Sequence, residues 1–152
     1  MGRVIRFILD WSAALVLAWF FGLAAVLKLT GPIDFADQIT GFDLSPLFLV
    51  APAAIMLPGV ELCAALALLI PPFRRSAALL LSSLLIVFIL AALSVIARGL
   101  DVPCGCFGPS GRMVGWTLVF QDLGLLFASL WLLVPTGHVR LQSNPSTPIE
   151  PK

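Results

Sequence analysis

Two cysteines one residue apart, Cys104 and Cys106, lie in the stretch DVPCGCFGP between Pro103 and Pro109. Residues of this type at this spacing can make a staple, a metal clip or a working dithiol. A disulfide staple stabilises by closing a long loop in the unfolded chain, and a three-residue loop constrains almost nothing. The remaining cysteine, Cys63, lies more than ten residues from the near end of its apolar stretch. That is roughly 15 Å below the pair at 1.5 Å per helical residue. The pair can instead bond to itself, because a turned i, i+2 pair reaches the Cα separation a disulfide needs and Gly105 permits the turn. Such a small ring is strained, and strained, exposed disulfides are the oxidising, exchangeable ones. A following helix N-terminus, Arg98 and Arg112 would favour a thiolate, while Asp101 opposes it. Two thiolates could also carry a soft cation such as Cu(I) or Hg(II). No histidine is near, however, and the lone His138 is expected on the opposite face, so such a site would be suited to transfer only.

A second set of chemistry-bearing residues sits inside apolar sequence. Glu61, Asp122 and Lys28 are ionisable groups at membrane depth, which are costly and are functional candidates by default. With Gln121 they are expected to converge inside a helix bundle beneath the cysteine loop. Two readings stay open, a proton relay for redox chemistry and a hydrogen-bonded polar plug that fixes helix packing. Taken individually, Asp10 and Lys28 read as interfacial residues. Cys63 reads as a small buried hydrophobe. Ser82 and Ser83 read as helix-packing or backbone-bonding groups.

The elements that must position these residues are membrane spans. The chain has 152 residues, 60% of them hydrophobic and 11% charged, with net charge +1 and mean hydropathy +1.07. Soluble domains are about 45–50% apolar and about 25% charged, so the composition indicates an integral membrane protein of one domain, and the charge makes no case for nucleic acid. Four stretches, about Phe7–Leu29, Leu47–Ile70, Ser76–Ala97 and Met113–Val134, meet the roughly 20 residues a helix needs to cross a bilayer. The expected fold class is therefore all-α, a four-transmembrane-helix bundle over residues 1–134. The breaks TGPIDFADQITGFDLSP, PPFRR and the cysteine loop carry stop signals, and residues 135–152 read as a disordered tail on the cytoplasmic side. The first stretch reads as a retained span, since its apolar run exceeds a signal core and no clear cleavage site follows.

Four spans put both termini on one side. Arg3, Arg6, Arg74, Arg75 and Arg140 collect there, against Lys28, Arg98 and Arg112 on the other side among several aspartates. The positive-inside rule then places the termini in the cytoplasm and the cysteine loop outside, where disulfides persist. Trp11 and Trp131 fall near the inner interface and Trp116 near the outer one, while Trp19 is expected to pack within the bundle.

The segments GLAAVLKL, PGVELCAALALLI, CGCFG and QDLGLL, in that order, make the chain resemble the MauE family, a methylamine-utilisation branch of DoxX-like membrane proteins, over about residues 10 to 134. The resemblance implies a four-helix protein of the bacterial inner membrane that serves periplasmic disulfide metabolism with a thioredoxin-like, MauD-like partner. It implies a contribution to maturing the disulfide-rich small subunit of methylamine dehydrogenase. The layout also resembles the DsbB and vitamin K epoxide reductase proteins, which couple a cysteine pair to a quinone. Here the pair is CxC and a second loop-borne pair is absent. The expected function is thiol–disulfide exchange through Cys104 and Cys106, with one sulfur attacked and the other resolving. A quinone, if it is the electron sink, is expected between the helices near Glu61 and Asp122. A soft-metal carrier and a non-catalytic assembly factor are the alternatives.

Overall fold

The computed structural model describes residues 2–42, 47–103 and 113–134. Among these the apolar stretches form four long helices and one short one: α1 (Gly2–Thr30), α2 (Pro32–Gly41), α3 (Leu47–Leu68), α4 (Arg74–Arg98) and α5 (Trp116–Leu133). The four long helices are long and apolar enough to cross a membrane, and only about a third of each spanning window is buried inside the protein. The chain is an all-helical membrane bundle whose outer faces are apolar, including Phe48, Phe120 and Phe127.

Buried positions recur every three or four residues along each long helix. On α1 they include Ala14, Leu17, Phe21, Ala24 and Lys28; on α5 they include Leu118, Asp122, Leu125, Ser129 and Leu132. This is the spacing of an inward-facing helical stripe. α1 packs chiefly on α3 and α4 on α5, and the two pairs meet through α1–α5 and α3–α4 contacts. Small residues on the stripes, such as Ala14, Ala25, Ala64, Ala65, Ala77 and Ala78, let the backbones approach where lipid supplies no hydrophobic drive.

The bundle has two unlike ends. At the end with the α3–α4 turn, all four helices close into a solid core around Leu17, Leu68, Leu81 and Leu125. Ser82 and Ser129 share a 2.8 Å hydrogen bond across α4 and α5 within the bundle. Arg74 donates from Nε to the Leu68 carbonyl at 3.0 Å and lies 4.3 Å over the Trp11 ring. Arg6 donates to the Val134 carbonyl at 3.0 Å and lies 5.5 Å from the Trp131 ring centroid. These two arginines satisfy carbonyls that the ends of α3 and α5 leave open.

The opposite end differs from expectation in one element. The first connection contains helix α2 where a loop was anticipated. Pro32 starts it at a position where its missing N–H is not needed, and Phe35 and Gln38 turn inward while Asp34 and Asp37 stay exposed. A ten-residue amphipathic pattern broken by charge is too short to read as a span, yet it covers the bundle when packed on α3. Two further expectations are corrected. Trp19 is 74% exposed on the lipid-facing side of α1, two residues from the stripe positions Leu17 and Phe21 and so about 200° around the helix from each. Cys63 is exposed as well, because Ala64 and Ala65 take the inward positions on α3.

Candidate functional site

Lys28 comes from the last turn of α1 and Glu61 from the middle of α3, one turn after Pro58. Pro52 and Pro58 both lie inside α3. Each removes a backbone hydrogen bond, a loss membrane helices tolerate when neighbours compensate. The Lys28 Nζ donates to both Glu61 carboxylate oxygens at 2.7 Å, with side-chain exposures of only 7% and 8%. Lys28 is thus a buried ion-pair partner rather than an interfacial residue. Its ammonium also lies 5.0 Å from the Phe35 ring centroid on α2, so three elements meet at this one charge.

Asp122 comes from the inward stripe of α5 and is 3% exposed. Its Oδ2 is buried with no hydrogen-bond partner. Lys28, Glu61 and Asp122 all line one cavity of about 470 Å³. The fourth polar residue on its wall is Gln38 of α2, while Gln121 is half-buried and lies outside the lining. The expectation that Gln121 joins this group is therefore replaced by Gln38. Gln121 precedes the inward stripe position by one residue, which turns it about 100° around α5. Gln38 went unrecognised because it lies in a segment read as a loop; its spacing from Phe35 and Phe42 is the signal that finds it.

The rest of the lining is apolar and rich in rings. Phe20 and Phe21 come from α1, Phe35 and Phe42 from α2 and its end, and Phe88 from α4. Phe42 and Phe88 pack as a tilted ring pair with centroids 6.2 Å apart. Both also belong to the cluster that holds the base of the cysteine-bearing loop, with Val95, Val102 and Val114. The Val114 N–H donates to the Val102 carbonyl at 2.9 Å, and Pro103 and Met113 form an antiparallel bridge. The Arg98 guanidinium donates to the Phe42 carbonyl. At Gly41 the approach to this base is close, since a Cβ there would lie 3.0 Å from Val102 Cγ1. α4 ends just before, at Gly99, whose φ of 64° suits a residue without a Cβ.

Cys104 and Cys106, together with Arg112 and the tail from residue 135, lie outside the described residues. Cys104 directly follows Pro103 in sequence, so the described bridge locates where their loop leaves the bundle, beside the cavity wall. Ser82 and Ser83 donate to the carbonyls of Ala78 and Leu79, a packing role. Among the described residues no three His, Cys, Asp or Glu side chains group as metal ligands.

Comparison with known proteins gives a consistent result. The family model described as Methylamine utilisation protein MauE matches residues 6–135. A protein of Methylophilus methylotrophus named Methylamine utilization protein MauE is 35% identical over 123 residues, covering 79% of this chain and 65% of that protein. The protein of the same name from Paracoccus denitrificans is 33% identical over 129 residues, 84% of this chain and 68% of the relative. That from Methylorubrum extorquens is 35% identical over 115 residues, 72% and 62% respectively. The chain thus spans about two thirds of the length of these curated relatives. No solved structure matches. With the four-helix architecture in place and a match running through nearly all of it, the chain belongs to the family of the methylamine utilisation protein MauE.

Proposed function

We propose that this protein is a membrane thiol–disulfide exchange protein in which Cys104 and Cys106 oxidise the dithiol of a thioredoxin-like partner. The observation that carries this reading is the seat of the cysteine loop. Its base, Val102 to Val114, rests on Phe42 and Phe88, which form part of a cavity wall that also bears Lys28, Glu61 and Asp122. A loop whose two ends are held against a cavity bearing buried ionisable groups suits a reaction that moves electrons and protons together. The strain of a CxC disulfide makes it an oxidant. A partner thiolate attacks one sulfur to give a mixed disulfide, the second partner thiol resolves it, and the loop is left as a dithiol. Turnover then requires an acceptor that removes two electrons and two protons from the pair.

The same reading places the chain in the bacterial inner membrane with both termini in the cytoplasm. Arg6 and Arg74 stack on Trp131 and Trp11 at the end away from the loop, which supports an inner-interface position under the positive-inside rule. The names of the relatives point to methylamine utilisation as the setting, and the dithiol reading adds maturation of a disulfide-bearing subunit as the task.

The test is thiol titration of the purified protein by alkylation and mass across a series of redox buffers. A reversible two-electron transition lost in both Cys104→Ser and Cys106→Ser supports the reading. Two thiols free under every condition, with mass shifts only on adding Cu(I) or Hg(II), hand the loop to soft-metal transfer. Full function with both cysteines replaced leaves a non-catalytic assembly factor.

A further inference from the structure

The cavity is far larger than a proton pathway requires. A water occupies about 30 Å³ of liquid, whereas about 470 Å³ falls within the roughly 300–1,000 Å³ of sites that enclose a cofactor-sized ligand. Five phenylalanines line it, and its polar groups are few: Lys28, Gln38, Glu61 and Asp122. Val87, a wall residue on α4, is itself 66% exposed, so the cavity is continuous with the lipid-facing surface at α4. A ligand that fits these features is a flat apolar ring with a polar oxygen, arriving from the membrane. Asp122 Oδ2, buried and without a partner, is an atom for that oxygen to meet. An unmatched polar atom at membrane depth is otherwise a cost with no return.

Resting on the dithiol reading above, we propose that the cavity binds a lipid-borne quinone that enters past Val87 between α3 and α4. Asp122 exchanges a hydrogen bond and a proton with one ring oxygen. The Lys28–Glu61 pair is a positioning element. It holds α1, α3 and, through Phe35, α2 around the ring. The reaction is the two thiols of Cys104 and Cys106 plus quinone giving the disulfide plus quinol. One S–S bond forms, two electrons pass from sulfur to the ring, and the two thiol protons balance the two protons gained by the ring oxygens. Asp122 hands its proton to the oxygen it faces and regains one released by the thiols.

Binding is tested first on the full chain carrying Cys104→Ser and Cys106→Ser, so that no electrons move, by equilibrium dialysis of ubiquinone-1 against protein in lipid nanodiscs, with empty nanodiscs as the partition control. Saturable binding is expected at one per chain. Ala91→Phe on α4 and Ala53→Phe on α3, bulk added at two lining positions, are each expected to weaken it about tenfold or more, the scale of overpacking a fitted site. Two variants guard against one failing to fold. Binding no greater than to empty nanodiscs, or indifferent to both variants, overturns the site. With the cysteines intact and dithiothreitol as reductant, Asp122→Asn is expected to lower protein-dependent quinol formation by about 100-fold or more, the range of positioned proton transfer. The redox midpoint of the cysteine pair stays unchanged. Quinol formation at the parent rate, or none in the parent, overturns the role of Asp122. Because binding is measured without cysteines, loss of the quinone site leaves the dithiol reading standing, and the reverse also holds.

Discussion

Breaking the Lys28–Glu61 pair from one side is the sharpest perturbation the structure offers. The Nζ lies 2.7 Å from both carboxylate oxygens, and both side chains are more than nine-tenths buried. At that distance and an effective dielectric of about 20, the attraction is roughly 6 kcal/mol. Withdrawing two ions from water costs several kcal/mol each, so the pair as a whole is close to neutral for stability. Removing one partner leaves the desolvation of the other uncompensated. Lys28→Met and Glu61→Met are therefore each expected to destabilise by about 3–5 kcal/mol, roughly 150- to 4,000-fold in the unfolding equilibrium. The double variant is expected to lie within about 1 kcal/mol of the parent, giving a coupling energy of about 5 kcal/mol or more. Reversible unfolding in mixed micelles with increasing dodecyl sulfate, followed by tryptophan fluorescence, measures all four corners of the cycle. Single variants costing under about 1 kcal/mol that simply add in the double would refute the buried-pair account. A stable double variant that has lost quinol formation would show that the pair positions the reaction as well as the helices.

Other expectations follow from particular contacts. Gly41→Ala pushes a Cβ against Val102 and is expected to loosen α2 from the loop base, seen as faster amide exchange across Pro32–Gly41; Val102→Ala should restore the parent rate. Gly99→Ala meets no neighbouring atom, so its expected cost of about 1–2 kcal/mol is purely that of holding alanine at positive φ, measured in the same micelle titration. Ser129→Ala removes the bond to Ser82 and should cost only about 0.6 kcal/mol, the usual worth of such bonds in a membrane. Cys63→Ala should leave the redox transition of the loop intact, since Cys63 faces outward from α3; a lost or shifted transition would contradict that placement.

What the sequence determined by itself is what depends on composition and period. Length and apolarity dictate four spans, because a backbone in lipid must satisfy its own hydrogen bonds and only a helix of that length does so. Glu61 and Asp122 stood out because a charge in an apolar run is costly whether it relays protons or fixes helix packing, and Cys104 and Cys106 because a three-residue ring has little structural use. The resemblance carried by GLAAVLKL, PGVELCAALALLI, CGCFG and QDLGLL agrees with the family match over residues 6–135. What only the tertiary structure decided is which faces turn inward. On helices apolar all round, neither side is marked in the sequence, so Trp19 and Cys63 could be assigned only by the packing of their neighbours, and both face lipid. Lys28 reads as interfacial until α1 and α3 are laid together and its ammonium meets Glu61. Gln38 joins the site, and Gln121 stays out, because a ten-residue segment with three acids within or near it becomes a helix only when it has α3 to pack against. The cavity itself belongs to no single segment; it exists because α1 pairs with α3 and α4 with α5, leaving space between the pairs beneath α2.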